Sequence, residues 1–384
     1  MPLISLVEDQ LLQKAPLKPS HVEWSETSDS KQWDDFVVQN GGTVFHTWSW
    51  RKVMESADSR PLYLVCRDPE GRILAVCPFF YRTSRRGRHV TEVCLESLPD
   101  CRIAGPIISS LATNTSQIIA SLARSVKFSL FNPVVAMEIR THQQPIVQSM
   151  IALGFKCKAI ARGILILDLH DKTPEFIWNK GFQKHDRQAI KYYEQRGAEF
   201  GYAGREDDYS AYLALERPSG IHYTINFQEE GYLNRIRSNM GDNLKLALIF
   251  LGGKAAGGFL VMCDNGTNST VHVMAIRYST LKNIHSLVTY LNWKIINWAN
   301  EHGFRYVNFG AYPVDKCSDP AHPFYKLKER FALTLVPEYD FILPTVSTPY
   351  SIAREINQAV REVRNLTQNI AIHAHRSPKE PWPS

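Results

Sequence analysis

The sequence predicts an α+β protein with two similar mixed sheets in tandem, one per half of the chain. Three observations carry this. The 384 residues exceed the roughly 150 of one ordinary domain. A composition 44% hydrophobic and 21% charged is that of a chain able to bury a core. One order of elements (hairpin, strand, helix, strand, helix, strand) occurs twice. Gly71 in the first hairpin turn precedes Gly253 in the second by 182 residues, and Phe155 precedes Phe331 by 176. Such near-constant offsets point to an internal duplication.

The elements follow in order. Residues 1–22 hold Pro2, Pro16 and Pro19 and no period, which predicts a loose arm. A helix over 31–39 turns Trp33 and Phe36 inward, and Gly41-Gly42 ends it. A strand over 43–45 and a helix over 48–57, with Thr47 as its N-cap, come next. Two β-rich runs, 61–67 and 72–82, flank Asp68-Pro69-Glu70-Gly71 and read as a hairpin. A strand over 90–95, a helix over 115–127, a strand over 134–140, a helix over 145–153 and a strand over 155–169 complete the first unit.

In the second half, Thr173-Pro174 starts a long helix over 174–195 and Gly197 stops it. A strand over 198–202 and helices over 207–215 and 228–240 follow. The runs 244–251 and 255–263 form a hairpin around Gly252-Gly253-Lys254. Then come a strand over 270–276, a helix over 284–300, a strand over 305–309, a helix over 323–331 and a strand over 332–337. This divides the chain into 24–169 and 170–340, with flexible ends at 1–23 and 373–384. An amphipathic helix over 349–372, striped by Ile352, Ile356, Val360, Val363 and Leu366, is expected to pack back on the first domain.

Charge and motifs exclude several classes. A net charge of +6 welcomes an anionic partner without announcing a nucleic-acid coat. The longest apolar runs, such as 246–251, fall far short of the ~18–20 residues of a membrane span. The start MPLISLVEDQ lacks the basic and apolar regions of a secretory signal. Seven scattered cysteines read as reduced core thiols, so a cytoplasmic protein is expected. Phosphate-loop, His-Glu-x-x-His, Cys-x-x-Cys and Gly-x-Ser-x-Gly patterns are all missing, and neither a metal nor a bound cofactor is expected.

Four segments remain as candidates for chemistry. In 45–52, FHTWSWRK, Trp48 and Trp50 read as a hydrophobic staple or as ligand contacts, and Lys52 could reach an anion. In 178–191, WNKGFQKHDRQAIK, helical spacing puts Lys184, Arg187 and Lys191 on one stripe. That stripe is either a solvated face or a clamp for phosphates. The strand end Tyr306-Val307-Asn308-Phe309-Gly310-Ala311-Tyr312 permits close backbone approach or is an ordinary turn. In 323–331, PFYKLKERF, Lys328 lies among Phe324, Tyr325, Leu327 and Phe331. It is either a snorkelling surface lysine or placed to stabilise an oxyanion.

These segments, in this order, resemble the FemABX peptidyltransferases and their wider group of doubled GNAT domains. The matching pieces are WSWRK, Trp178-x(8)-Arg187-x-x-Ile190-Lys191, the Trp293–Gly303 helix, Asn308-Phe309-Gly310, and Leu327-Lys328-x-x-Phe331 against the family's F-K-x-x-F. The resemblance spans about residues 24–340 and implies two tandem GNAT-like domains. It also implies transfer of an aminoacyl group from aminoacyl-tRNA to an amine, classically on a nucleotide-linked peptidoglycan precursor. Lys328 would stabilise the tetrahedral intermediate, and Arg187, Lys191 and Lys52 would hold phosphates. His222 and Tyr223 would line the acceptor channel, with Trp50, Asn308, Phe309, Tyr312, Phe324 and Tyr325 as further substrate contacts. Asp315 is the one candidate base.

The family's helical-hairpin arm has no room between Leu215 and Leu244, and its Phe before the lysine is Leu327 here. The coenzyme A loop of single GNAT domains needs glycines, whereas 279–285 and 111–114 have none. That favours an RNA-ester donor over acyl-CoA. An acyl-CoA-dependent N-acyltransferase and a non-enzymatic module that binds anions through the Lys184/Arg187/Lys191 stripe remain the alternatives.

Overall fold

In the computed structural model the structure describes residues 22–56, 59–86, 89–99, 104–126, 134–157, 162–215, 230–265, 269–279 and 284–344. The expected helix over 349–372, both chain ends, and His222 and Tyr223 lie outside these residues.

The first half begins with β1 (Glu23–Glu26), α1 (Ser30–Gln39) and α2 (Trp48–Met54). Asp29 caps α1, its side chain accepting from Gln32 N–H at 2.9 Å. Between the two helices the predicted strand is instead a 3-10 turn, Val44–His46. Thr47 does not cap α2, because its hydroxyl donates to the Val44 carbonyl at 2.7 Å. The Asp34 carboxylate accepts from Trp48 N–H at 2.7 Å in its place. Then follow β2 (Ser59–Arg67), β3 (Ile73–Arg86), β4 (His89–Ser97), β5 (Ile107–Ile108), α3 (Thr115–Ser125), β6 (Val134–Thr141), α4 (Gln144–Ala152) and β7 (Lys156–Cys157).

The second half comprises β8 (Arg162–Asp168), α5 (Lys184–Gln195), β9 (Glu199–Tyr202), α6 (Glu206–Ala214), α7 (Glu230–Met240), β10 (Leu244–Leu251), β11 (Lys254–Cys263), β12 (Thr270–Tyr278), α8 (Ile284–Glu301), β13 (Tyr306–Pro313), α9 (Val314–Ser318), α10 (Pro323–Arg330), β14 (Thr334–Pro337) and β15 (Tyr339–Pro344). The single long helix expected over 174–195 is broken. A short turn at Pro174–Phe176 runs into a π-type turn, Ile177–Gly181, and the chain extends at Phe182 before α5 starts. Gly181 allows this: a Cβ there would stand 2.7 Å from Phe331 Cδ1, closer than side chains pack.

Two mixed sheets result, ordered β1-β2-β3-β4-β6-β15-β7 and β14-β8-β13-β12-β11-β10-β9, with β5 paired to β3. The strand expected over 155–169 divides between them. Lys156–Cys157 stays with the first sheet, while β8 enters the second between β13 and β14. In return β15, from the end of the second half, lies between β6 and β7 of the first. Relative to the expected boundary between residues 169 and 170, β8 and β15 thus change places between the two sheets.

One apolar core joins them. Trp33, Trp50, Tyr63 and Phe80 of the first half share a buried cluster with Tyr212, Tyr232, Ile236, Leu246 and Leu260 of the second. A separate cluster lies on the other face of the second sheet, under α5, α8 and α10. Burying large side chains at ~1.5–3 kcal/mol each is what makes the halves one body. No helix among the described residues is long and apolar enough to cross a membrane.

Candidate functional site

The second sheet opens in its middle. β12 and β13 run parallel but pair only over Thr270–His272 and Tyr306–Asn308. Beyond this point each strand carries an extra residue. β12 shifts register against β11 between Val273 and Ala275, and β13 shifts against β8 between Asn308 and Ala311. Gly310 within the second bulge takes φ +91°, a conformation that glycine adopts without strain. The bulges on the two adjacent strands coincide with the end of the pairing between them.

A buried polar chain lies where the pairing ends. Asn308 Oδ1 accepts from Gly310 N–H at 2.8 Å, so its amide nitrogen points at His272 Nδ1, 3.1 Å away. The imidazole therefore accepts at Nδ1 and donates from Nε2 to Asp264 Oδ2 at 2.9 Å. The other oxygen of Asp264 accepts from Val44 N–H, in the 3-10 turn of the first half, at 2.6 Å. The Phe45 ring packs edge-on against His272, 5.0 Å between centroids. All three polar residues are buried.

The first sheet differs at the equivalent place, where β4 and β6 run parallel. Glu96 faces Glu138 in register, and Arg140 Nε contacts Asp340 Oδ1 at 2.7 Å. Burial works against the Arg140 charge, yet Asp340, Glu338 and Glu96 together hold its guanidinium above the ordinary value. The space beside this cluster is about 10 Å³, room for one water at most. The first sheet thus carries an ion cluster at this place and the second the Asp264–His272–Asn308 chain.

The helix after β13 gathers the other candidates. Tyr312 near the end of β13 packs edge-on against Phe324 of α10, 4.9 Å between centroids. His322 caps α10, its Nδ1 accepting from Phe324 N–H at 3.1 Å. Lys328 lies one turn on, its side chain 20% exposed, with Nζ 3.3 Å from Glu329 Oε1 and 4.8 Å from the Tyr325 ring centroid. Burial raises the nearby Cys317 thiol, an effect that the Lys328 charge opposes. Asp315 is exposed in the first turn of α9.

The remaining candidates disperse. Trp50, expected as a substrate contact, is fully buried and packs edge-on against Phe45 at 4.9 Å, so it is a core residue. Lys52 is exposed on α2 and Lys191 on α5. Arg187 leaves the expected cationic stripe. Its guanidinium donates to the carbonyls of Trp178 at 3.2 Å, Asn179 at 3.4 Å and Phe182, holding the π-type turn against α5. Phe309 is half-buried beside the second core. Asp264 and His272 escaped notice in the sequence. Their signal was a polar residue after the apolar run 255–263 and another between Val271 and Val273.

No group of three or more His, Cys, Asp or Glu among the described residues is arranged to hold a metal ion.

Comparison with known proteins agrees with this architecture. Residues 180–326 match the acetyltransferase (GNAT) domain family. The fold is that of tandem GNAT proteins, with an acetyltransferase-type domain in its second half. A crystal structure of FemX is similar, with 14% identity, coverage of 84% of this chain and 97% of that one, and a TM-score of 0.61. A tandem GNAT protein from the clavulanic acid biosynthesis pathway shares 12% identity over 85% and 100% of the two chains, TM-score 0.56. L-PGS from Bacillus licheniformis shares 14% over 86% and 96%, TM-score 0.53. No curated protein matches the sequence.

Proposed function

We propose that the protein transfers an aminoacyl group from aminoacyl-tRNA to an amine on a cell-envelope precursor or a small molecule, a reaction of the cytoplasm. The observation that carries acyl transfer is the opening of β12 from β13 after His272 and Asn308. An extended acyl donor lies between such strands and meets main-chain N–H groups along their edges. The neutral amine attacks the ester carbonyl carbon, the carbonyl oxygen takes the negative charge, and the C–O bond to the ribose breaks. The amine proton leaves with the ribose hydroxyl. In this reading the Lys328 ammonium stabilises the oxyanion, and holding both substrates in line supplies much of the rate.

The resemblance of WSWRK, the Trp178–Lys191 segment and Leu327-Lys328-x-x-Phe331 to the FemABX group supports the tRNA donor. So does the stretch 279–285 leading into α8, which has none of the glycines that a coenzyme A loop needs. The second reading is an acyl-CoA donor, favoured by the tandem GNAT neighbour described in a form without AcCoA. Incubation with charged tRNA and a panel of amines, followed by mass spectrometry, separates the two. The expected result is an acceptor heavier by one aminoacyl residue. Acylation from acyl-CoA alone would establish the second reading, and transfer from neither donor would overturn both.

A further inference from the structure

Away from the opened strands, the π-type turn Ile177–Gly181 and the carboxyl end of α10 enclose a pocket of about 260 Å³. One water needs only ~10–15 Å³, so there is room here for an organic group. Most nucleotide and drug-sized sites are larger, at roughly 300–1,000 Å³, so the occupant is small. The floor is apolar, formed by Ile177 and the Phe331 ring against Gly181. The Phe176 side wall is 47% exposed, unusual for so large an apolar side chain. π-type turns recur at functional sites.

The rim is charged, and unevenly. Glu329 lines the pocket, but its carboxylate is engaged with Lys328 Nζ at 3.3 Å. Lys172 and Lys180 also line it, and neither makes an ion pair among the described residues. An apolar floor beneath two uncommitted ammonium groups is complementary to one kind of small molecule: a hydrocarbon tail ending in an anion.

We propose that this pocket binds a small apolar carboxylate, its chain against Phe176, Ile177 and Phe331 and its carboxylate between Lys172 and Lys180. This concerns binding alone, so it stands or falls independently of acyl transfer. The test is titration of the full chain with octanoate and, as an uncharged control, 1-octanol, followed by calorimetry. Octanoate is expected to bind saturably. Lys172→Glu/Lys180→Glu is expected to weaken it at least tenfold while leaving octanol binding unchanged, and Phe176→Ala to weaken both. Should the double variant fail to fold by circular dichroism, Lys180→Gln is read instead, with a loss of severalfold for octanoate only. Absence of saturable octanoate binding, or affinity indifferent to the lysine changes, would overturn the proposal.

Discussion

His272 Nε2 and Asp264 Oδ2 stand 2.9 Å apart at the point where the second sheet opens, and the pair is anchored to the first half of the chain through Val44 N–H. A single carboxylate thus satisfies two buried donors from different halves. Through Asn308 the same chain reaches Gly310 N–H and so fixes the bulge at which the β12–β13 pairing ends.

Asp264→Asn replaces a double acceptor by a group whose amide nitrogen faces one of the two donors. We expect a loss of roughly 2–3 kcal/mol, the cost of a buried donor left unpaired, measured as a lower urea midpoint at unchanged slope. An unaltered midpoint would disprove the hydrogen-bond assignment.

Lys328→Ala is expected to lower turnover by about 10²–10³-fold, as for other lost oxyanion donors, with acceptor KM changed much less. Lys328→Arg keeps the charge and is expected to recover part of the loss. Equal kcat for wild type and Lys328→Ala would remove the lysine from the mechanism.

Arg187→Lys distinguishes a structural from a ligand-holding arginine. Lysine cannot reproduce a planar fork directed at several carbonyls, so the variant is expected to lose about 1–2 kcal/mol of stability, seen in thermal melts. Unchanged stability with weakened substrate binding would instead return Arg187 to the phosphate-holding role.

His46 supplies a pH signature. Burial pushes its imidazole down to about 4, while Thr43 N–H donates to Nδ1 and Nε2 donates to the Gly105 carbonyl. The unfolded chain binds a proton near pH 6.5 that the folded chain refuses, so this contribution is complete above that value and is lost as pH falls towards 4. The lost amount is about 3 kcal/mol at most, and half-buried His142 acts in the same direction. Urea midpoints from pH 7.5 to 4.5 should fall less steeply in His46→Gln than in the wild type. Identical slopes would refute it.

Local chemistry made much of this legible in the sequence. Gly71 and Gly253 mark both hairpins, and Asn308-Phe309-Gly310 marks the β13 bulge, because turns and bulges draw on a short menu of residues. Lys328 was visible as a lysine among aromatics. What stayed hidden was non-local. Nothing near Arg162–Asp168 reveals that it pairs with β13 and β14, since its apolar run suits either sheet. Arg187 fitted a surface stripe by spacing, but the π-type turn supplied carbonyls that spacing does not show. His272 and Asp264 are only eight residues apart, yet Asn308 and Val44, which give them meaning, lie far along the chain.

The exchange of β8 and β15 bears on heredity and folding alike. A fragment ending at Leu169 would carry a strand whose sheet is elsewhere and would lack the strand that separates β6 from β7. The halves can therefore be neither swapped between relatives nor melted one at a time by a cut at the midpoint. Calorimetry should record one cooperative transition for the whole chain, and recombination would have to move both strands together.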